Sequence, residues 1–214
     1  MSPAAQTPLQ GKTALKAALQ GRRFEAVVIA GSAGGVDAMA NLLPALPGDY
    51  GLAVFCMLHV PADRESRLAE LFNDRLPLPV REAADKEGIV PGTVYFAGSG
   101  YHLSVEKDRT FSLSCEPPVH FARPAIDVLM ESAADAYGPA LVGILLTGAN
   151  QDGAEGMAHI RACGGFTVVQ HPADAQVAVM PLAAIHRCDP NLILPLERIH
   201  ALLPMLPMTE NEKP

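Results

Sequence analysis

The chain has 214 residues, 49% hydrophobic and 18% charged, with 16 basic against 23 acidic side chains and a formal net charge of −7. That length carries a full core in one large domain, and the hydrophobic share argues against intrinsic disorder. An acidic chain with no Trp and 5% aromatics offers neither a cationic grip on phosphate backbone nor stacking platforms, so no nucleic acid is expected as a partner.

The longest apolar runs, 26–30, 52–58 and 141–146, fall far short of the roughly 18–20 residues that span a bilayer, and no membrane insertion is expected. Residues 1–23 lack acids and carry Lys12, Lys16, Arg22 and Arg23, but have no continuous apolar stretch of a secretory signal. They read as a flexible or helical lead-in rather than an organellar presequence. The cysteines Cys56, Cys115, Cys163 and Cys188 are far apart, with no C-x-x-C pair and no finger or H-E-x-x-H spacing. A reduced, cytoplasmic protein without metal or cofactor is the expectation.

In chain order, 24–30 (FEAVVIA) reads as a fully buried strand and 31–35 as a tight turn, followed by a helix over 36–46 that Pro47-Gly48 ends. A second buried strand over 52–58 precedes an amphipathic helix near 65–76. The stretch 77–115 is broken by Pro79, Gly88, Pro91-Gly92, Gly98 and Gly100 into short pieces, 93–96, 102–105 and 110–114, the last two forming an antiparallel hairpin. A helix follows over 123–137, with Pro124 in its first turn and Ile126, Leu129, Met130, Ala133 and Ala134 on one stripe. Strands over 141–146, 166–170 and 191–194 alternate with further helices, one near 153–163. This is an α/β pattern: a doubly wound, mostly parallel sheet with helices on both faces and an antiparallel hairpin insertion. The domain is expected over 24–203, with 204–214 a polar, frayed tail.

Ligands of open α/β sheets gather at the carboxyl ends of the strands, so the polar residues at those ends are the candidates. The first strand runs into Gly31-Ser32-Ala33-Gly34-Gly35, a serine between strand and helix with helix N-terminal N–H groups nearby. This turn is neither G-x-S-x-G nor G-x-G-x-x-G, and a plain helix cap explains Ser32 equally well. The second strand ends at His59, and the 141–146 strand leads through Thr147 to Asp152. A lone histidine there is most often structural, and a lone aspartate most often caps the next helix. Together, Ser32, His59 and Asp152 at three strand ends form a candidate triad, with Asp152 expected on the imidazole Nδ1–H. His102, His120 and His171 are rival bases. The order Ser, His, Asp argues against the α/β-hydrolases.

Five separated segments also resemble the catalytic domain of the chemotaxis protein-glutamate methylesterases, which double as receptor glutamine deamidases. They are Ile29-Ala30-Gly31-Ser32-Ala33-Gly34-Gly35, Leu58-His59-Val60-Pro61, Arg123-Pro124 with Asp127-Val128-Leu129, Leu145-Leu146-Thr147-Gly148, and Asp152-Gly153-Ala154-Glu155-Gly156. The likeness covers about 24–203, with the motifs in the family's order. It implies Ser32 as nucleophile, His59 as general base and acid, Asp152 as orienting carboxylate, and the backbone N–H groups near Ala33 and Ala149 as oxyanion donors. Arg123 is expected either to bind acidic groups of the substrate or to pin its helix to the hairpin. The chain departs from the family at Ala149 (typically Met), Ala33 (typically Thr), Leu58 (often Gln) and His171, changes that bear on substrate preference. The implied partner is the cytoplasmic domain of a methyl-accepting chemotaxis receptor. Only 23 residues precede the likeness; if they are all that does, the covalent receiver domain of the best-known members is absent, and the expectation is an ungated enzyme or one controlled by a separate protein, such as a response regulator, or by its basic lead-in. An esterase for other esters, or a non-catalytic anion- or partner-binding module on the same fold, remain alternatives.

Overall fold

The unbroken apolar runs make the middle of a parallel sheet, because only strands covered on both faces tolerate such runs. The computed structural model describes residues 12–59 and 66–208. In chain order its elements are α1 (Lys12–Ala18), β1 (Ala26–Gly31), α2 (Gly35–Leu42), β2 (Ala53–Leu58), α3 (Leu68–Asn73), β3 (Val80–Glu82) and β4 (Val94–Phe96). They continue with β5 (His102–Val105), β6 (Phe111–Ser114), α4 (Ile126–Tyr137), β7 (Leu141–Leu145) and α5 (Ala154–Ala162). The last are β8 (Phe166–Gln170), α6 (Val179–Cys188), β9 (Leu192–Leu194) and α7 (Leu196–Leu202).

Among the described residues, seven strands pair in the order β3-β4-β2-β1-β7-β8-β9, all parallel, and β5 and β6 form a separate antiparallel pair. Alternate residues of the central strands point to opposite faces. Val27, Ile29, Val54 and Cys56 pack under α1, α2, α3 and α7, through Leu15, Met39, Leu42, Phe72 and Ile199. Val28, Ala30, Phe55 and Met57 pack under α4, α5, α6 and the hairpin, through Leu129, Met130, Met157, Met180 and Phe111. The architecture is doubly wound, as the alternating pattern implies. No helix among the described residues is long and apolar enough to cross a membrane.

Several boundaries differ from expectation. The helix expected over 36–46 ends at Leu42 and tightens into one 3-10 turn, Leu43–Ala45, because Pro44 has no N–H to continue the ladder. The helix expected over 123–137 starts at Ile126; Ala125 is its extended cap residue, and Pro124 lies before it after a cis bond with Arg123. Of the helix expected near 65–76, Leu68–Asn73 is helical, and residue 65 lies outside the described residues. The 93–96 piece is not apart from the sheet: it pairs with β2, and β3 extends the edge beyond it.

The chain after 203 is also not a polar tail throughout. Leu206 is buried, the Phe24 N–H donates to the Pro207 carbonyl at 2.8 Å, and the Tyr50 hydroxyl donates to the Leu203 carbonyl. Apolar Leu206 and Met208 sit in that stretch, and Phe24 bridges to Met208 instead of joining β1. Leu15 and Leu19 of the lead-in are likewise buried. Residues 1–11 and 209–214 lie outside the described residues.

Candidate active site

β1 lies between β2 and β7, and the chain leaves β1 toward α2 on one face and β7 toward α5 on the other. The loops after β1 and β7 therefore part at a topological switch point, where an open α/β sheet forms its crevice. Both loops are tied down there. The Ser32 N–H donates to the Thr147 carbonyl at 2.9 Å, and the Thr147 hydroxyl donates to the Ala33 carbonyl at 2.8 Å. The Gln170 side chain at the end of β8 accepts the Thr147 N–H at 2.9 Å. Gly34, just before α2, has φ 78°, and a Cβ on it would lie 2.3 Å from the Gln176 side-chain oxygen. Both the left-handed turn and the close approach require glycine.

The structure brings Ser32, His59 and Asp152 together. Ser32 Oγ is 3.2 Å from His59 Nδ1, and His59 Nε2 is 2.7 Å from Asp152 Oδ2. The ring is used the other way round from the expectation that Asp152 would meet Nδ1–H. An ionised carboxylate only accepts, so Nε2 carries the proton and the Nδ1 lone pair is left facing the Ser32 hydroxyl. The His59 side chain is 14% exposed and that of Asp152 is fully buried.

Asp152 does more than hold the imidazole. Its Oδ2 also accepts the Ile126 N–H at 2.7 Å, and its Oδ1 accepts the Asp127 N–H at 2.9 Å. Those are first-turn donors of α4 with no partner inside their own helix. Asp152 therefore caps a helix, but α4 rather than the α5 that follows it. Burial pushes its carboxyl up, yet the His59 hydrogen bond and the two backbone N–H groups outweigh burial and hold it below the usual carboxylate range.

Asp127 returns the arrangement. Its Oδ1 accepts the Gly153 and Gly156 N–H groups at the start of α5, both at 2.8 Å, and His120 Nε2 lies 3.3 Å from its Oδ2. Burial, with the nearby Asp152 charge adding to it against these N–H bonds, raises the Asp127 carboxyl to about 6. In the sequence Asp127 belongs to a motif but has no assigned role; its one signal is an acid in a helix's first turn, the position that favours negative charge.

The remaining candidates separate. The N–H groups of Ala33 and Ala149 donate to no partner among the described residues, and Ala149 is exposed. One Arg123 guanidinium nitrogen donates to the carbonyls of Cys115 and Glu116 at 3.0 and 3.2 Å, a contact of the kind the pinning expectation calls for, between the approach to α4 and the end of the hairpin. His102 is buried between the Pro117 carbonyl and the Ala125 N–H, His120 lies on Asp127, and His171 accepts the Ala173 N–H within its own turn. Among the described residues none of the three hydrogen-bonds to Ser32, whereas His59 does.

Residues 27–203 match the CheB methylesterase family. The chain belongs to that family. A Leptospira interrogans relative is 42% identical over 179 residues, covering 84% of this chain and 93% of its own length. The protein-glutamate methylesterase/protein-glutamine glutaminase of Clostridium acetobutylicum is 34% identical over 176 residues, 82% of this chain but 51% of its own length. The chain thus spans nearly the whole of one CheB methylesterase-like relative and about half of the other. The crystal structure of the Thermotoga maritima CheB methylesterase catalytic domain superposes with a TM-score of 0.81 at 28% identity, covering 86% of this chain and 98% of that one. The doubly wound sheet is therefore the CheB methylesterase fold, and Ser32, His59 and Asp152 lie at its switch point.

Proposed function

We propose that the protein is a serine hydrolase that removes methyl groups from glutamate methyl esters of chemoreceptors. The observation that carries this reading is the continuous hydrogen-bond chain from Ser32 Oγ through both nitrogens of His59 to buried Asp152, in a member of the CheB methylesterase family. His59 Nδ1 takes the Ser32 proton as Oγ attacks the side-chain ester carbonyl. Asp152 keeps the proton on Nε2 and stabilises the imidazolium. The N–H groups of Ala33 and Ala149 receive the oxyanion, each contributing about 3 kcal/mol when aligned. The tetrahedral intermediate expels methanol, protonated by His59 Nδ1, and leaves a glutamyl ester on Ser32. Water then attacks that ester, His59 takes its proton, and collapse frees the glutamate carboxylate and the Ser32 hydroxyl.

The same cycle with ammonia as leaving group deamidates glutamine, the second activity in the name of the Clostridium relative. The partner in this reading is the cytoplasmic domain of a methyl-accepting receptor, which puts the protein in the cytoplasm, with a separate response regulator as its control.

The test is methanol and ammonia release from a methylated, amidated receptor cytoplasmic fragment, with Ser32→Ala alongside. Release by the wild type, none by a folded Ser32→Ala, and fluorophosphonate labelling of the wild type alone are expected. Undiminished release by Ser32→Ala overturns the role of Ser32. Turnover of simple acyl esters without receptor turnover overturns the substrate.

A further inference from the structure

α4 and α5 pack side by side closely enough that a Cβ on Gly156 would come within 2.5 Å of the Met130 Cβ. Their N-termini carry the Asp127 and Asp152 caps, so their C-terminal ends lie together at the far end of the pair from Ser32. Asp135, nine residues beyond Ile126, is about 13 Å along the helix axis from that site. There the Asp135 carboxylate meets His159, with Nε2 2.7 Å from Oδ1. Cys163 is the C-cap residue of α5, one helical turn beyond His159, so both side chains share one helix face. Among the described residues, one group of three potential ligand atoms gathers within 4.8 Å of one another, and it consists of Asp135, His159 and Cys163.

We propose that Asp135, His159 and Cys163 form a zinc site that clamps the C-terminal ends of α4 and α5. The donor set is an imidazole nitrogen, a thiolate and a carboxylate oxygen, the three donor types of protein zinc centres. Zinc bonds of about 2.0 to 2.3 Å fit within the observed spacing once the ion replaces the His159–Asp135 hydrogen bond, and water fills the fourth tetrahedral position. Two ligands come from a single turn of a packed helix and the third from its neighbour, so little chain must be ordered on binding. The three residues lie in or just past the last turns of α4 and α5, the helix ends whose dipoles favour a cation.

Zinc coordination displaces the Cys163 thiol proton to solvent as the S–Zn bond forms, with no redox change. The sequence has neither C-x-x-C nor H-E-x-x-H spacing. The H-x-x-x-C pair at 159–163 acquires meaning only when α4 supplies Asp135.

The test uses the full chain, stripped with a chelator and titrated with zinc against a chromophoric competitor, then with cobalt. One zinc per chain and a thiolate-to-cobalt charge-transfer band in the near ultraviolet are expected. Cys163→Ser should abolish the band and weaken zinc binding at least tenfold, and Asp135→Asn should weaken it similarly. His59→Ala, in the methylesterase site, and Cys115→Ser should leave binding unchanged. Cys163→Ser should keep wild-type methanol release. No bound zinc, no thiolate band, or binding lost in His59→Ala and kept in Cys163→Ser overturns the site.

Discussion

Asp127 and Asp152 cap each other's helices. Asp152, ahead of α5, accepts the first N–H groups of α4, while Asp127, in the first turn of α4, accepts those of α5. Asp152 is thereby held by two backbone donors and Asp127 by two more, and two helix N-termini offset the proximity of two buried carboxylates. Orientation of His59 and docking of α4 against α5 become one structural unit.

Replacing Asp152 with Asn should therefore lower both stability and rate. One amide orientation turns its NH2 onto His59 Nε2 and forces the proton to Nδ1, where it blocks acceptance from Ser32; that tautomer error is worth about 10⁴ in kcat. The other orientation keeps the tautomer but removes the charge that stabilises the imidazolium. Either way, one α4 N–H faces a second donor, at about 1–3 kcal/mol. Urea unfolding and methanol-release rates measure the two effects. A variant with wild-type stability and less than a tenfold rate loss contradicts the shared role.

The reversed use of the His59 ring has a direct signature. In ¹⁵N-resolved NMR of the free enzyme above the histidine titration, the low-field ring proton should couple to Nε2, and Nδ1 should carry the shift of an unprotonated nitrogen. In Ser32→Ala the Nε2 proton should persist, because Asp152 holds it. A proton on Nδ1 would instead put the carboxylate on the ring position used in the familiar proteases.

Stability should also carry the mark of Asp127. Its carboxyl is raised from the ordinary 3.8 to about 6, so the folded chain binds that proton more tightly than the unfolded chain. Its contribution is fully present below about pH 4 and is lost as the pH rises through 6. Asp152, held low, works in the opposite direction and loses its contribution only as pH falls below the carboxylate range. His120 and Asp152 are the ionisable groups facing Asp127. Asp127→Asn keeps an oxygen for the Gly153 and Gly156 N–H groups but does not titrate. Between pH 4 and 6 the wild type should lose stability relative to Asp127→Asn; parallel melting-temperature curves for the two proteins would remove this account.

The sheet is legible because its central strands are unbroken apolar runs, and Ser32, His59 and Asp152 stand out because each lies in a loop that follows one of them. Periodicity carries no strand order, so only the observed β2-β1-β7 adjacency brings the three side chains together. The ring orientation of His59 depends on where Asp152 lies relative to the α4 N-terminus, a tertiary relationship. β3 has three residues, too few for alternation to register beside Pro79, while β4 falls within the 93–96 piece and only its place beside β2 is hidden from periodicity. Arg123 reads two ways in the sequence because a guanidinium suits carbonyls and carboxylates alike; in the fold one of its nitrogens meets the Cys115 and Glu116 carbonyls.

A strained turn beside Asp127 yields the last expectation. His120 and Phe121 have φ of 49° and 63°, and Val119 and Ala122 close the turn with two mutual backbone hydrogen bonds. Two left-handed positions in a two-residue turn ordinarily fall to Asn and Gly. His120 gains contact with Asp127, but the Phe121 ring is completely exposed, so folding recovers nothing for the strain it stores. Phe121→Gly should raise stability by about 1 kcal/mol in urea unfolding. Contact with a protein substrate would account for strain kept against stability and for an uncovered ring next to His120, which meets Asp127. KM for the receptor fragment should rise in Phe121→Gly while turnover of a small acyl ester holds. A loss of stability, or equal effects on both substrates, would show that Phe121 serves the fold instead.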